Sequence, residues 1–142
     1  MRHRDSKAYD HLRSVALFSA CSDRELELVL RTTTEVRFPA GQVLTEEGKA
    51  GHEFIVVVEG TAKVDVGGRQ VATLGPGDFF GEVALLDNGP RTATVTAETD
   101  MVADVMNQRE FDSIITSAPD VAKSMLVGLA RKLRAADVAL TH

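Results

Sequence analysis

Apolar positions along the chain fall into three regimes. Near the N-terminus, Ser22 and Asp23 followed by Glu25 form the polar signature of a helix start. Leu26, Leu28, Val29 and Leu30 then supply an apolar face that ends near Thr32, Thr33 and Thr34. The middle of the chain changes to short β-branched runs at 54–58, 62–66 and 92–96, with ten of the 11 glycines between Gly41 and Gly89. Closely spaced glycines mark tight turns, so these runs predict an antiparallel barrel or sandwich, with Gly67 and Gly68 as a hairpin turn. Past residue 107 the period returns to three and four. Pro119 suits a first helical turn, and Val121, Met125, Leu129, Leu133, Ala136 and Leu140 follow on one face. A long C-terminal amphipathic helix is predicted. Its stripe fits three roles with one periodicity: packing on the strands of its own chain, exchanging between those strands and a ligand, or pairing with a second copy as a homodimer.

The length of 142 residues suits one domain with a real core, divided here into N-terminal helices over 1–34, strands over 35–106 and C-terminal helices over 107–142. Apolar residues at 44% and charged residues at 26% are the composition of a globular protein. A formal net charge of −5 disfavours attraction to a phosphate backbone, so nucleic acid is not expected as a direct partner. The single cysteine, Cys21, closes no internal disulfide and builds no thiolate metal cage, which fits a reducing compartment. Met1 to Asp5 is charged and leads into no apolar stretch, and the longest strongly apolar run is 54–58, so neither a signal peptide nor a membrane segment is expected. A cytoplasmic location follows as the expectation.

Candidate chemistry concentrates in 79–95. Gly81 precedes a helix-capable run, Asn88, Gly89 and Pro90 end it, and Arg91 stands at the start of the next strand. A helix start offers free N–H groups and partial positive charge, Gly81 removes the side chain that would keep an anion away, and Arg91 supplies a forked pair of donors. Asp78, Glu82 and Asp87 outnumber Arg91 here, so recognition would be short-range and geometric. Glu82 beside an anion is repulsive unless it accepts from hydroxyls of the same ligand, a demand that a sugar phosphate meets. Spacing leaves a second reading open, in which Arg91 and Glu82 pair with each other across a turn and the glycines serve turn geometry alone.

The run FGEVALLDNGPRTATV resembles the phosphate-binding cassette of the cyclic nucleotide-binding domain family, found in catabolite activator-type regulators, regulatory subunits of cyclic nucleotide-dependent kinases and gated ion channels. FPAGQVLTEEG, FIVVVEGTAKV and VATLGPGDFFGE resemble the family's strands, so the likeness covers about 17 to 138. It implies an α+β fold, an eight-stranded antiparallel jelly-roll β-barrel flanked by N-terminal helices and a long C-terminal helix. It also implies that Glu82 accepts from the ribose 2′-hydroxyl and that Arg91 holds the exocyclic phosphate oxygens. Backbone amides at Gly81, Val83 or Ala84 and Leu85 complete the cradle, Thr92 adds a hydroxyl, and Val64, Ala72 and Leu74 form the apolar wall for the base. Plain core packing is the competing role for those three. On the C-terminal helix, Leu126, Leu129, Lys132, Leu133 and Arg134 are candidates to cap the base. Asp137 stands there as a candidate acceptor for guanine, or simply as a solvated carboxylate. The ligand implied is cyclic AMP, with cyclic GMP close behind because Thr92 resembles the residue of cyclic GMP-selective members.

Other functions fit less well. A metal-dependent barrel enzyme needs clustered histidines, and of His3, His11, His52 and His142 only His52 lies among the strands. Gly75 and Gly77 lack the lysine of a triphosphate loop and read as a β-turn. The expectation is a non-enzyme without metal or cofactor, signalling to an effector protein or fused domain. With His142 directly after the long helix, no DNA-recognition helix is expected within this sequence, which reads equally as a stand-alone sensor or as the sensory part of a larger chain. The alternative is a barrel that holds no ligand or another sugar phosphate and acts as a protein-interaction module.

Overall fold

The computed structural model describes residues 6–51, 53–81, 86 and 89–141. In chain order the elements are α1 (Ser6–Arg13), a 3-10 turn (Ala16–Phe18), α2 (Asp23–Thr32), β1 (Thr34–Phe38), β2 (Val43–Thr45), β3 (Glu53–Glu59), β4 (Ala62–Val66), β5 (Arg69–Leu74), β6 (Phe79–Phe80), β7 (Thr94–Ala97), β8 (Met101–Asn107), α3 (Gln108–Ser117) and α4 (Pro119–Thr141). They form two compact units: the strands with their turns, Thr33–Arg109, and the helical segments from either side of them.

Among the described residues, eight strands make two four-stranded antiparallel sheets, β1-β8-β3-β6 and β2-β7-β4-β5. Apart from β4 and β5, consecutive strands fall in opposite sheets, the alternation of a jelly roll. The expected closed barrel is corrected to a sandwich. Among the described residues, the edge strands β2, of three residues, and β6, of two, pair with β7 and β3, and no ladder joins one sheet to the other. Ile55, Val57, Ala103 and Val105 of the first sheet, with Ala62, Val95 and Ala97 of the second, are buried in a core shared through Phe38, Leu44 and Phe80.

Local chemistry explains the turns. Gly67 and Gly68, with φ of 59° and 78°, make the tight β4–β5 hairpin. The Gly75–Gly77 segment is a β-turn: the Asp78 N–H donates to the Gly75 carbonyl at 2.9 Å, and Gly77 takes a φ of 91° after Pro76. The run at 92–96 becomes strand only from Thr94; ahead of it, the Arg91 N–H donates to Lys49 O and the Gly48 N–H to Arg91 O, at 2.8 and 2.9 Å.

In the helical unit, α2 opens on a reciprocal capping box. The Ser22 N–H donates to Glu25 Oε1 at 2.9 Å, and the Glu25 N–H donates to Ser22 Oγ at 3.2 Å. Glu25 also accepts from Ser124 Oγ of α4 at 3.0 Å. Replacing Glu25 with alanine removes both ties and is expected to lower stability by about 1 kcal/mol in urea unfolding. Buried Cys21 lies near this carboxylate, and burial first, then Glu25, pushes its thiol up to about 11, against a smaller pull from Arg13.

Helix α4 begins at Pro119 as predicted, but its buried face is shorter than the sequence stripe. Val121, Met125 and Gly128 are buried, and a Cβ on Gly128 would overlap the Ala16 carbonyl oxygen. The helix thus meets the 3-10 turn at backbone contact. Beyond Gly128, Leu129 is half-buried while Leu133 and Ala136 are exposed. Leu133 is 68% exposed. Leu140 lies outside the residues whose side chains are described.

Candidate functional site

The strand unit holds a cavity of about 710 Å³, within the usual range for small-ligand pockets. Register builds one wall of it. Val64 pairs with Ala72 of β5 on one side and Val95 of β7 on the other, which sets three apolar side chains in a row on one sheet face. Leu74, paired with Ala62, extends that row. Val64, Ala72, Leu74 and Val95 all line the cavity, with Phe79 and Phe80 of β6. The Phe79 ring lies 6.1 Å from that of Phe54 in a tilted pair, which ties the wall to the buried β3.

The cavity's cationic group is Arg91. Residues 48–50 fasten its backbone through the Gly48 and Lys49 hydrogen bonds and an Ala50–Pro90 bridge. Its Nη2 donates to the Glu53 carbonyl at 2.6 Å. Its Nε is buried and has no hydrogen-bond partner among the described residues. Burial lowers the guanidinium pKa from its ordinary value, with the Glu53 carboxylate pulling partly back. A desolvated cation with an unused donor recovers energy from an anion that reaches it.

Two glycines enclose that guanidinium. Gly81 has a φ of 87°, and a Cβ there would overlap the Glu53 carbonyl and stand 2.5 Å from Arg91 Nη1. A Cβ on Gly51 would overlap Arg91 Nε. Gly81 therefore serves close approach as well as turn geometry. Most of the remaining lining is apolar, so the site suits an anion carried on an apolar body.

Of the residues singled out from sequence, the fold brings Gly81, Arg91, Thr92, Val64, Ala72 and Leu74 to this one cavity. Glu82, Val83, Ala84 and Leu85 lie outside the described residues. The proposed base-capping residues belong to the helical unit. Leu129 is half-buried there, Lys132 and Leu133 are exposed, and the Asp137 side chain lies outside the described part. Sequence reasoning missed Thr45, Phe79, Phe80 and Pro90 as lining, and Gly51 as a neighbour of Arg91. Thr45 had a legible signal: it is a hydroxyl at the end of an apolar strand, buried with its Oγ 3.4 Å from the Ala93 carbonyl.

A protein-family model described as the cyclic nucleotide-binding domain matches residues 35–118. The chain is 35% identical over 104 residues to a cGMP-dependent protein kinase of Toxoplasma gondii, covering 73% of this chain and 10% of the kinase. It is 33% identical over 129 residues to the cyclic AMP receptor protein of Thermus thermophilus, covering 87% of this chain and 60% of that protein. The chain thus spans less than two thirds of the length of these relatives. Among solved structures, the N-terminal domain of a transcriptional regulator from Streptomyces coelicolor matches with a TM-score of 0.81 at 34% identity, covering 92% of this chain and 94% of that one. The Thermus thermophilus catabolite activator protein matches with a TM-score of 0.69 at 32% identity, covering 89% and 62%.

Proposed function

The chain belongs to the cyclic nucleotide-binding domain family, and from that premise we propose that it is a regulatory module that binds cyclic AMP in the sandwich cavity, with cyclic GMP as the second ligand. The observation that carries this reading is the Arg91 guanidinium, half-buried beside two glycines with its Nε unpartnered among the described residues, at the edge of a cavity with an apolar wall. The cyclic phosphate takes the guanidinium and the Gly81 amide, and the base rests on Val64, Ala72 and Leu74. Glu82 accepts from the ribose 2′-hydroxyl, the backbone at Val83, Ala84 and Leu85 completes the cradle, and Thr92 adds a hydroxyl.

The module's role is binding rather than catalysis, without metal or cofactor, and its setting is the cytoplasm. Binding draws α4 toward the base through Leu129, Lys132, Leu133 or Asp137, and the changed helix position is what an effector protein or fused domain reads. Exposed Leu126 and Leu133 on α4 support pairing with a second copy as one form of that readout. No helix among the described residues is long and apolar enough to cross a membrane. The ligand differential needed to swing such a helix from 1:99 to 99:1 is roughly 5.5 kcal/mol, so a few capping contacts produce a partial shift.

Parallel calorimetric titrations with cyclic AMP and cyclic GMP test the reading. Saturable one-to-one binding, tighter for cyclic AMP, is the expected result. Silence from both nucleotides up to millimolar concentration would overturn it and favour a protein-interaction module.

A further inference from the structure

We propose that Gly51 is a positioning residue for the anion, because the missing side chain at this position sets where the Arg91 guanidinium lies. The inference rests on the reading of the cavity as a cyclic nucleotide site. Gly51 is not needed for a turn: its φ lies outside the left-handed region, so alanine fits its backbone. Gly48 of the same loop is the opposite case, with a φ of 85° and open space where a Cβ would stand, as expected of a turn glycine.

The three atoms nearest to a Cβ at Gly51 all belong to the Arg91 side chain. An added Cβ overlaps Nε and stands 2.7 Å from Cζ and 2.8 Å from Cδ, and no backbone atom is among its three nearest neighbours. The loop cannot retreat to make room, because Gly48, Lys49 and Ala50 are bonded to the backbone at Pro90 and Arg91. The guanidinium must yield instead. Its other side is closed by Gly81 and the Glu53 carbonyl that accepts from Nη2. Any displacement therefore breaks that bond and moves the donors away from the place they hold in the cavity. Hydrogen bonds to an anion weaken steeply with such shifts of distance and angle.

The test is a cyclic AMP titration of four proteins: the unaltered chain, Gly51→Ala, Arg91→Ala and the double variant. Gly51→Ala is expected to lower affinity about tenfold in the unaltered background and less than twofold once Arg91 is absent, the non-additivity of residues that act through one group. Its thermal midpoint should fall by no more than a few degrees, since the lost Arg91–Glu53 hydrogen bond is partly offset by the restriction that alanine places on the unfolded chain. A tenfold loss that persists without Arg91 would overturn the proposal, as would unchanged affinity or a midpoint lowered by several degrees. If the unaltered chain bound no cyclic nucleotide, the reading of the cavity would fail first, and the role of Gly51 with it.

Discussion

Replacing Arg91 with alanine is expected to weaken cyclic AMP binding about a hundredfold, with the thermal midpoint nearly unchanged. Two charge-assisted hydrogen bonds to a phosphate contribute roughly 1.5–3 kcal/mol each in a sheltered site. A hundredfold loss, about 2.7 kcal/mol, falls just below the range of their sum because water fills part of the space left behind. Stability changes little because two effects oppose each other. The variant loses the Arg91–Glu53 hydrogen bond, and it also releases a guanidinium whose charge burial disfavours. Calorimetry and a thermal melt on the same samples check both halves. A variant that bound cyclic AMP as tightly as the unaltered chain would remove Arg91 from the site.

Phe54→Ala is expected to have the largest effect on folding, about 3–5 kcal/mol in urea unfolding. Phe54 is 1% exposed on β3, faces Met106 across the β3–β8 ladder and packs its ring on Phe79. Truncation leaves a cavity in a strand whose residues 54–57 are all buried, where neighbours have little room to collapse. The same strand supplies the Glu53 carbonyl that holds Arg91, and β6 supplies Phe79 to the cavity wall. Weaker nucleotide binding should therefore accompany the loss of stability. A fall below 1 kcal/mol would show that Phe54 is not part of the packed core.

Features fixed by neighbouring residues were legible in the sequence. Ser22 and Glu25 cap α2 three residues apart, Gly67 and Gly68 turn a hairpin, and Pro119 starts α4, each through backbone chemistry that needs no distant partner. The cavity wall was legible through family resemblance, and register then gave it a cause, since Val64, Ala72 and Val95 meet across three strands. What failed to show depended on distant pairing. A barrel and a sandwich share one alternation pattern, and the difference lay in the short edge strands β2 and β6. The α4 stripe had the right period, but periodicity does not say where the covering partner ends, so Leu133 came out exposed. Gly51 looked like its turn-forming neighbours because nothing local reveals that Arg91 lies over it.

If the Arg91 guanidinium receives the cyclic phosphate, its Nε–H reports on this directly. We would record arginine Nε–H correlations by NMR during a cyclic AMP titration, with Arg91→Ala assigning the signal. The Arg91 Nε–H signal is expected to shift in step with saturation, because a phosphate held by the guanidinium changes the field at this buried donor. Saturation of the protein by cyclic AMP with the Arg91 signal unmoved would place the phosphate elsewhere and contradict the assignment.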